Sequence, residues 1–138
     1  MEFIKSNILY FAWSQALAGM LMSLYFSEIL KLPPCVLCWY QRIALYPLVA
    51  IIPVGILKKD KNLPLYVLPL SIAGMLIALY HNLLYYGVVS ESITPCSTGV
   101  SCTTKYFELF GFITIPLLSL AAFVLITICM LIYRKAKK

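Results

Sequence analysis

Four long apolar runs leave this chain few ways to fold. They extend over about Ile8 to Phe26, Trp39 to Leu57, Leu65 to Tyr86 and Phe112 to Tyr133. Each offers roughly 18 or more residues, which coiled into a helix cross a hydrocarbon core of about 30 Å. Lipid offers the backbone no partners, so such segments pair their amides internally as helices. Pro47, Pro53, Pro69 and Pro116 would interrupt helices in water, yet a membrane helix accepts proline where a neighbour satisfies the freed carbonyl. With 62% hydrophobic and 12% charged residues in 138, the expectation is a single membrane domain over 1–138, an all-α integral membrane four-helix bundle.

Charge sets the orientation. The net charge of +6 would suit a nucleic acid, but the basic residues lie in short runs between apolar segments and form no recognition face, so lipid and not nucleic acid is the expected surrounding. Lys5, Lys58, Lys59, Lys61, Arg134, Lys135, Lys137 and Lys138, eight of the eleven basic residues, flank segment ends that an even number of crossings puts on one side. The positive-inside rule makes that side cytoplasmic, together with the N and C termini. Lys31, Arg42 and Lys105 then lie at or near the outer face, as do the outer loops 27–38 and 87–111 and the cysteines Cys35, Cys38, Cys96 and Cys102. That is the side of a cell membrane on which disulfides form and persist.

Ala12, Ala16, Gly19 and Ser23 make a small-residue stripe along the first segment, and Gly74 and Ala78 stand at packing spacing in the third. Ala16-Leu17-Ala18 has the form of a signal-peptide cleavage site, but the apolar run continues past it to Phe26, which favours a retained span. Gln15, at mid-membrane, is expected to face the bundle interior. His81 lies about one turn short of Tyr85 and Tyr86, an aromatic pair that marks the outer interface. Arg42 lies about one turn below the outer end of its own helix, so the two are expected at similar depth.

The chemistry gathers at Pro33-Pro34-Cys35-Val36-Leu37-Cys38-Trp39-Tyr40-Gln41-Arg42. In a helix, Cys35, Cys38 and Arg42 stand at i, i+3 and i+7 and share one face. The prolines suit a first turn, and the positive end of the helix dipole together with Arg42 favours a thiolate. A CxxC alone is also half of a zinc site or a pair of packing cysteines. A charged arginine inside an apolar run marks a functional site, against the alternative that it snorkels to the interface. Cys129, deep in the fourth run, reads as a small packing residue.

A second pair, Cys96 and Cys102, lies in the loop from Gly87 to Gly111, the longest connection and the expected docking surface for another protein. A disulfide closing so small a ring adds only about 2 kcal/mol on the chain-entropy estimate, a modest return if stability were its only role. After it, Tyr106, Phe107, Leu109, Phe110 and Phe112 are expected to form a short interfacial helix that carries the loop back over the bilayer toward Cys35 and Cys38. Two dithiol-disulfide pairs on one face can relay electrons by thiolate attack on disulfide sulfur. The expected source is the dithiol of an extracytoplasmic protein. For the sink, the chain has no G-x-G-x-x-G, no P-loop and no haem or iron-sulfur spacing. An acceptor dissolved in the membrane remains, and a quinone fits beside Cys38, with Arg42 stabilising anionic reduced forms and His81 supplying a hydrogen bond or proton.

The run from Cys35 to Arg42, the four spans, His81 in the third and the Cys96/Cys102 loop before the fourth together resemble the DsbB family of disulfide-forming membrane proteins, above all its compact BdbC branch. The resemblance covers nearly the whole chain. It implies a protein-dithiol:quinone oxidoreductase of the cell membrane that uses menaquinone or ubiquinone. Its implied partner is an extracytoplasmic thioredoxin-like thiol oxidase of the DsbA or BdbD kind, which it reoxidises in support of disulfide bond formation in exported proteins. It further implies that Cys96 forms the mixed disulfide with that partner, that Cys102 passes electrons to Cys35, and that Cys38 engages the quinone with Arg42 in support. The vitamin K epoxide reductase-like proteins also pair a membrane CxxC with a quinone, but the tyrosine- and arginine-bearing tail of this CxxC favours DsbB. A metal-handling protein using Cys35, Cys38 and His81 would lack a fourth ligand, so no metal is expected. A bundle whose outer disulfides are only staples is the remaining alternative.

Overall fold

The computed structural model describes residues 2–31, 36–88, 108–109 and 113–137. Helices α1 (Glu2–Leu24), α2 (Val36–Leu57), α3 (Leu63–Tyr85) and α4 (Ile115–Lys137) account for most of them. Phe3–Ile29, Val36–Leu57, Leu63–Tyr85 and Ile115–Ala136 are each long and apolar enough to cross a membrane. α1 packs against α2 and α4, and α3 packs against the same two, in a closed bundle of helices that alternate in direction.

The connection between α2 and α3 is tight because its backbone bonds are complete. Lys59 N–H donates to Ile56 O at 3.2 Å and Asp60 N–H to Gly55 O at 2.9 Å. With Lys59 at φ 51°, this is the left-handed turn that closes a helix C-terminus. Asp60 Oδ1 then accepts Asn62 N–H at 2.8 Å, and Pro64 falls in the first turn of α3, where a missing N–H leaves nothing unpaired. The chain reverses within five residues, Lys58 to Asn62, and the two helices become antiparallel neighbours.

Small residues decide how closely the helices approach. Ala12 and Ala16 on α1 are fully buried, and a Cβ on Gly19 would stand 3.0 Å from the Leu45 side chain. A Cβ on Gly74 would collide with the Phe123 ring, so glycine is what lets the largest fully buried side chain of the core lie against α3. Because the interior face of α1 is taken by the two alanines, Gln15 is left half-buried at its margin instead of inside the bundle.

Proline inside α2 has a partner helix to thank. Pro53 cannot donate to Val49 O, and the Trp13 indole N–H of α1 donates to that carbonyl instead, at 3.1 Å. Between α3 and α4 the Thr127 hydroxyl lies 3.1 Å from Ser71 Oγ and 2.8 Å from Phe123 O. Its one proton is shared between them, while Ser71 donates to Leu68 O at 3.1 Å.

Where a short interfacial helix is expected, the described residues are extended. β1 (Glu108–Leu109) pairs antiparallel with β2 (Ile113–Thr114), Glu108 opposite Thr114 and Leu109 opposite Ile113. Ile113 and Thr114 are β-branched and favour extended backbone, so at Leu109 the helical expectation is corrected. Tyr106, Phe107, Phe110 and Phe112 lie outside the described residues. α2 also begins at Val36, which puts Cys38 in its first turn and not in the loop that precedes it.

Candidate functional site

The start of α1, the Lys58–Asn62 connection and the end of α4 share one end of the bundle. At the other end, the starts of α2 and α4 meet the ends of α1 and α3. Cys38, Gln41 and Arg42 fall within the first two turns of α2, His81 and Asn82 within the last two turns of α3, and Thr114 immediately before α4. Cys35 immediately precedes the first residue of α2 and lies outside the described residues, as do Cys96 and Cys102.

Cys38 is half-buried. It packs with Val36, Ile77 and Tyr80 around the buried pair Leu37 and Leu84, so one wall of its surroundings is apolar and shared between α2 and α3. Its position in the first turn sets it among the free N–H groups of a helix N-terminus, where negative charge on sulfur is stabilised. One turn further on, at i+4, stands Arg42.

The Arg42 guanidinium directs three of its five N–H groups to α1 and its continuation. Nε donates to Ser23 Oγ at 2.7 Å, while Nη2 donates to Ser23 O at 3.0 Å and to Ser27 Oγ. The guanidinium also stands 5.2 Å from the centre of the exposed Trp39 ring. These contacts coincide with a π-helical turn, Tyr25–Ile29, closed by Leu30 N–H donating to Tyr25 O at 3.2 Å. A side chain that takes a helix carbonyl disturbs the ordinary ladder at that point, and π turns are frequent at functional sites.

His81 faces α2, not Arg42. Its Nδ1 lies 3.1 Å from the side-chain nitrogen of Gln41, and both residues are buried, at 3% and 7% exposure. The expected common depth of His81 and Arg42 is realised through Gln41, the residue before the arginine. Asn82, next along α3, turns to α4: its Nδ2 donates to Ala78 O at 2.8 Å and to Pro116 O at 2.9 Å. Flipping that amide would set oxygen against two carbonyls, so the orientation is fixed and Oδ1 is left buried without a partner among the described residues. Thr114 Oγ1 accepts Leu117 N–H at 3.3 Å and caps α4.

Three of these groups were not read from the sequence as site residues: Gln41, Asn82 and the serines that hold Arg42. Their signals were present. Gln41 and Asn82 are polar residues in apolar runs, each adjacent to a residue singled out, and intramembrane polar residues face the bundle interior. The Tyr46 hydroxyl, a further turn below Arg42, is likewise buried without a partner among the described residues. No group of three or more metal-ligating side chains occurs among the described residues.

A family model of disulfide bond formation protein DsbB matches residues 5–133. The chain is 48% identical over 129 residues to disulfide bond formation protein C of Bacillus subtilis (strain 168), covering 94% of each. It is 46% identical over 132 residues to probable disulfide formation protein C 2 of Bacillus anthracis, covering 96% of this chain and 94% of that one. Over 137 residues it is 45% identical to a probable disulfide formation protein of Chlamydia caviae, covering 99% and 98%. No solved structure matches.

Proposed function

The chain belongs to the DsbB family of disulfide bond formation proteins, and from that premise we propose that it oxidises the dithiol of an extracytoplasmic thioredoxin-like oxidase and delivers the electrons to a membrane quinone. Membership carries a thiol-disulfide oxidoreductase role in a multi-pass membrane protein. The observation that carries the finer reading is the position of Cys38: in the first turn of α2, against an apolar wall, one turn from a guanidinium.

The fit to menaquinone or ubiquinone rests on that donor set. A quinone ring needs an apolar slot and hydrogen-bond donors for two carbonyl oxygens. Ile77, Tyr80 and Leu84 supply apolar surface beside Cys38, and Arg42 and His81 supply donors at the same end of the bundle. When bound, the quinone takes up two electrons and two protons and leaves as the quinol.

The chain's own residues do the rest. A partner thiolate attacks the Cys96–Cys102 disulfide at Cys96, and the second partner thiol displaces Cys96, so that the partner leaves oxidised and the loop pair reduced. Cys102 then attacks Cys35 of the Cys35–Cys38 disulfide, and Cys38 departs as thiolate, stabilised by the positive end of α2. Cys96 attacks Cys102, which restores the loop disulfide and frees Cys35. Cys35 and Cys38 close again as their two electrons and two protons pass on. The lysine-rich end of the bundle lies in the cytoplasm on this reading, and both cysteine pairs face outward.

The test is quinone reduction by the purified protein in detergent, with a reduced thioredoxin-like protein as donor, for wild type beside Cys38→Ser. Reduction that requires Cys38, with the loop pair of the variant still exchanging with the donor, is the expected result. Retained quinone turnover in Cys38→Ser would defeat the assignment.

A further inference from the structure

Gln41 is one of two polar residues that face each other across the buried α2–α3 interface at the depth of Arg42. Its side-chain nitrogen lies 3.1 Å from His81 Nδ1, and with both residues more than nine-tenths buried the bond is not open to competition from water. An amide nitrogen has only protons to offer, so Nδ1 accepts. A neutral imidazole carries one proton, and when Nδ1 accepts, that proton sits on Nε2.

We infer that Gln41 is a positioning residue, holding His81 in the Nε2–H tautomer so that the ring presents a hydrogen-bond donor, not a lone pair, toward a quinone carbonyl. The inference deepens, and rests on, the reading of His81 as a quinone-facing group. Quinone oxygens accept hydrogen bonds, and more strongly as they gain charge on reduction, so a donor fixed in advance favours electron uptake. The other tautomer would set nitrogen and oxygen lone pairs against each other. An apolar residue at position 41 would leave both tautomers accessible, and a carboxylate, which only accepts, would draw the proton to Nδ1 and invert the ring's role.

His81 is the chain's single histidine, so protein labelled with 15N-histidine reports one imidazole. Spectra of wild type, Gln41→Leu and Gln41→Glu in detergent micelles distinguish the protonated ring nitrogen from the bare one and assign each through couplings to the ring carbon protons. The wild type is expected to carry its proton on Nε2, Gln41→Leu to populate both tautomers, and the near-isosteric Gln41→Glu to move the proton to Nδ1. In parallel, kcat/KM for quinone should fall roughly tenfold in both variants, the loss expected when one neutral donor is misplaced. A wild-type proton on Nδ1, or a tautomer preference unchanged in both variants, overturns the inference without reference to any quinone. A shifted tautomer with unaltered quinone kinetics in the Gln41 variants and in His81→Phe instead removes His81 from the quinone site, and the inference falls with the reading beneath it. Should Gln41→Leu fail to fold, Gln41→Glu carries the test alone.

Discussion

Arg42 is asked to do two things, and replacing it by lysine or by alanine separates them. Its fork donates to Ser23 Oγ, Ser23 O and Ser27 Oγ, which anchors α2 to the end of α1. Hydrogen bonds from a charged donor contribute about 1.5–3 kcal/mol each, but Arg42 is only half-buried and the bonds share one side chain, so about 2–3 kcal/mol for the set is the reasonable scale. Lysine keeps the charge and cannot reproduce the fork, so it should cost about 1 kcal/mol, while alanine should cost the whole. At about 3–5 °C per kcal/mol for a chain of this size, thermal unfolding in micelles should fall by about 3–5 °C for Arg42→Lys and by roughly twice that or more for Arg42→Ala. The quinone KM should follow the same order, and the serine control separates it from stability. If the cation stabilises negative charge on the acceptor, Arg42→Ala raises the apparent KM by about 10- to 100-fold, one charged hydrogen bond at 1.4 kcal/mol per decade. Arg42→Lys should raise it by less than about tenfold. Ser23→Ala with Ser27→Ala supplies the control, loosening the anchor and lowering the melting temperature while the charge stays. An unchanged KM in Arg42→Ala, at any loss of stability, would reduce Arg42 to a structural anchor and refute its role at the quinone.

Other outcomes follow from single contacts. Thr127→Val removes the α3–α4 hydroxyl contact to Ser71 and should cost about 0.6 kcal/mol, the average for interhelical bonds in membranes, and no more than about 1.7 kcal/mol, measured by unfolding in micelles with quinone reduction unaffected. Tyr46→Phe removes a buried hydroxyl that has no partner among the described residues and should leave stability equal or slightly raised; a loss above about 1 kcal/mol would mean that the hydroxyl is paired in the membrane. In a chain whose native cysteines are replaced by serine, cysteines introduced at Lys59 and at Val88, both exposed, should react with an impermeant maleimide from opposite sides of sealed vesicles. Labelling of both from one side would undo the alternating arrangement of the helices.

The sequence made the architecture legible because its apolar runs are too long for anything else, and it made part of the packing legible too. Neighbours were expected to satisfy carbonyls freed by proline, and Trp13 does so for Val49. Gly74 was expected at a close helix contact, and Phe123 lies against it. What escaped was rotational phase. Gln15 and Gln41 are both lone glutamines in apolar helices, and which one faces inward depends on how its helix is turned about its axis. On α1 the alanines take the inner face; on α2 the Leu37, Ala44, Leu45 and Leu48 face brings Gln41 in with it. The π turn was equally hidden, since it coincides with a guanidinium from another helix taking the Ser23 carbonyl. The short β pairing escaped for a different reason: an aromatic-rich run such as that from Tyr106 to Phe112 suits an interfacial helix and an extended edge alike, and the β-branched pair at Ile113 and Thr114 decides it locally.

The depth of the polar cluster is itself an argument about mechanism. At 1.5 Å of rise per residue, Cys38 lies about 3 Å and Arg42 about 9 Å inside the start of α2, with His81 about 6 Å from the end of α3. A group deeper than this would reach a lipid-soluble acceptor but not the cysteines of a folded protein docking from water; a shallower one would meet the protein and not the acceptor. Burying polar groups is also cheapest near the interface, where water lies within a turn. Among the described residues the lower half of the bundle holds the Trp13 indole bond to Val49 O, the Ser71–Thr127 contact and hydroxyl-to-carbonyl bonds local to a helix, which tie α1 to α2 and α3 to α4 without introducing charge. An apolar, closely packed half therefore fixes the helices, and on the proposed mechanism the chemistry is confined to a band where Cys35 and a membrane-dissolved oxidant can both reach Cys38. Moving the cysteine one turn inward, with Cys38→Ser and Arg42→Cys together, should accordingly abolish exchange with Cys35 and the loop even where quinone access is kept. Restored relay in that double variant would show that depth is not what the fold controls.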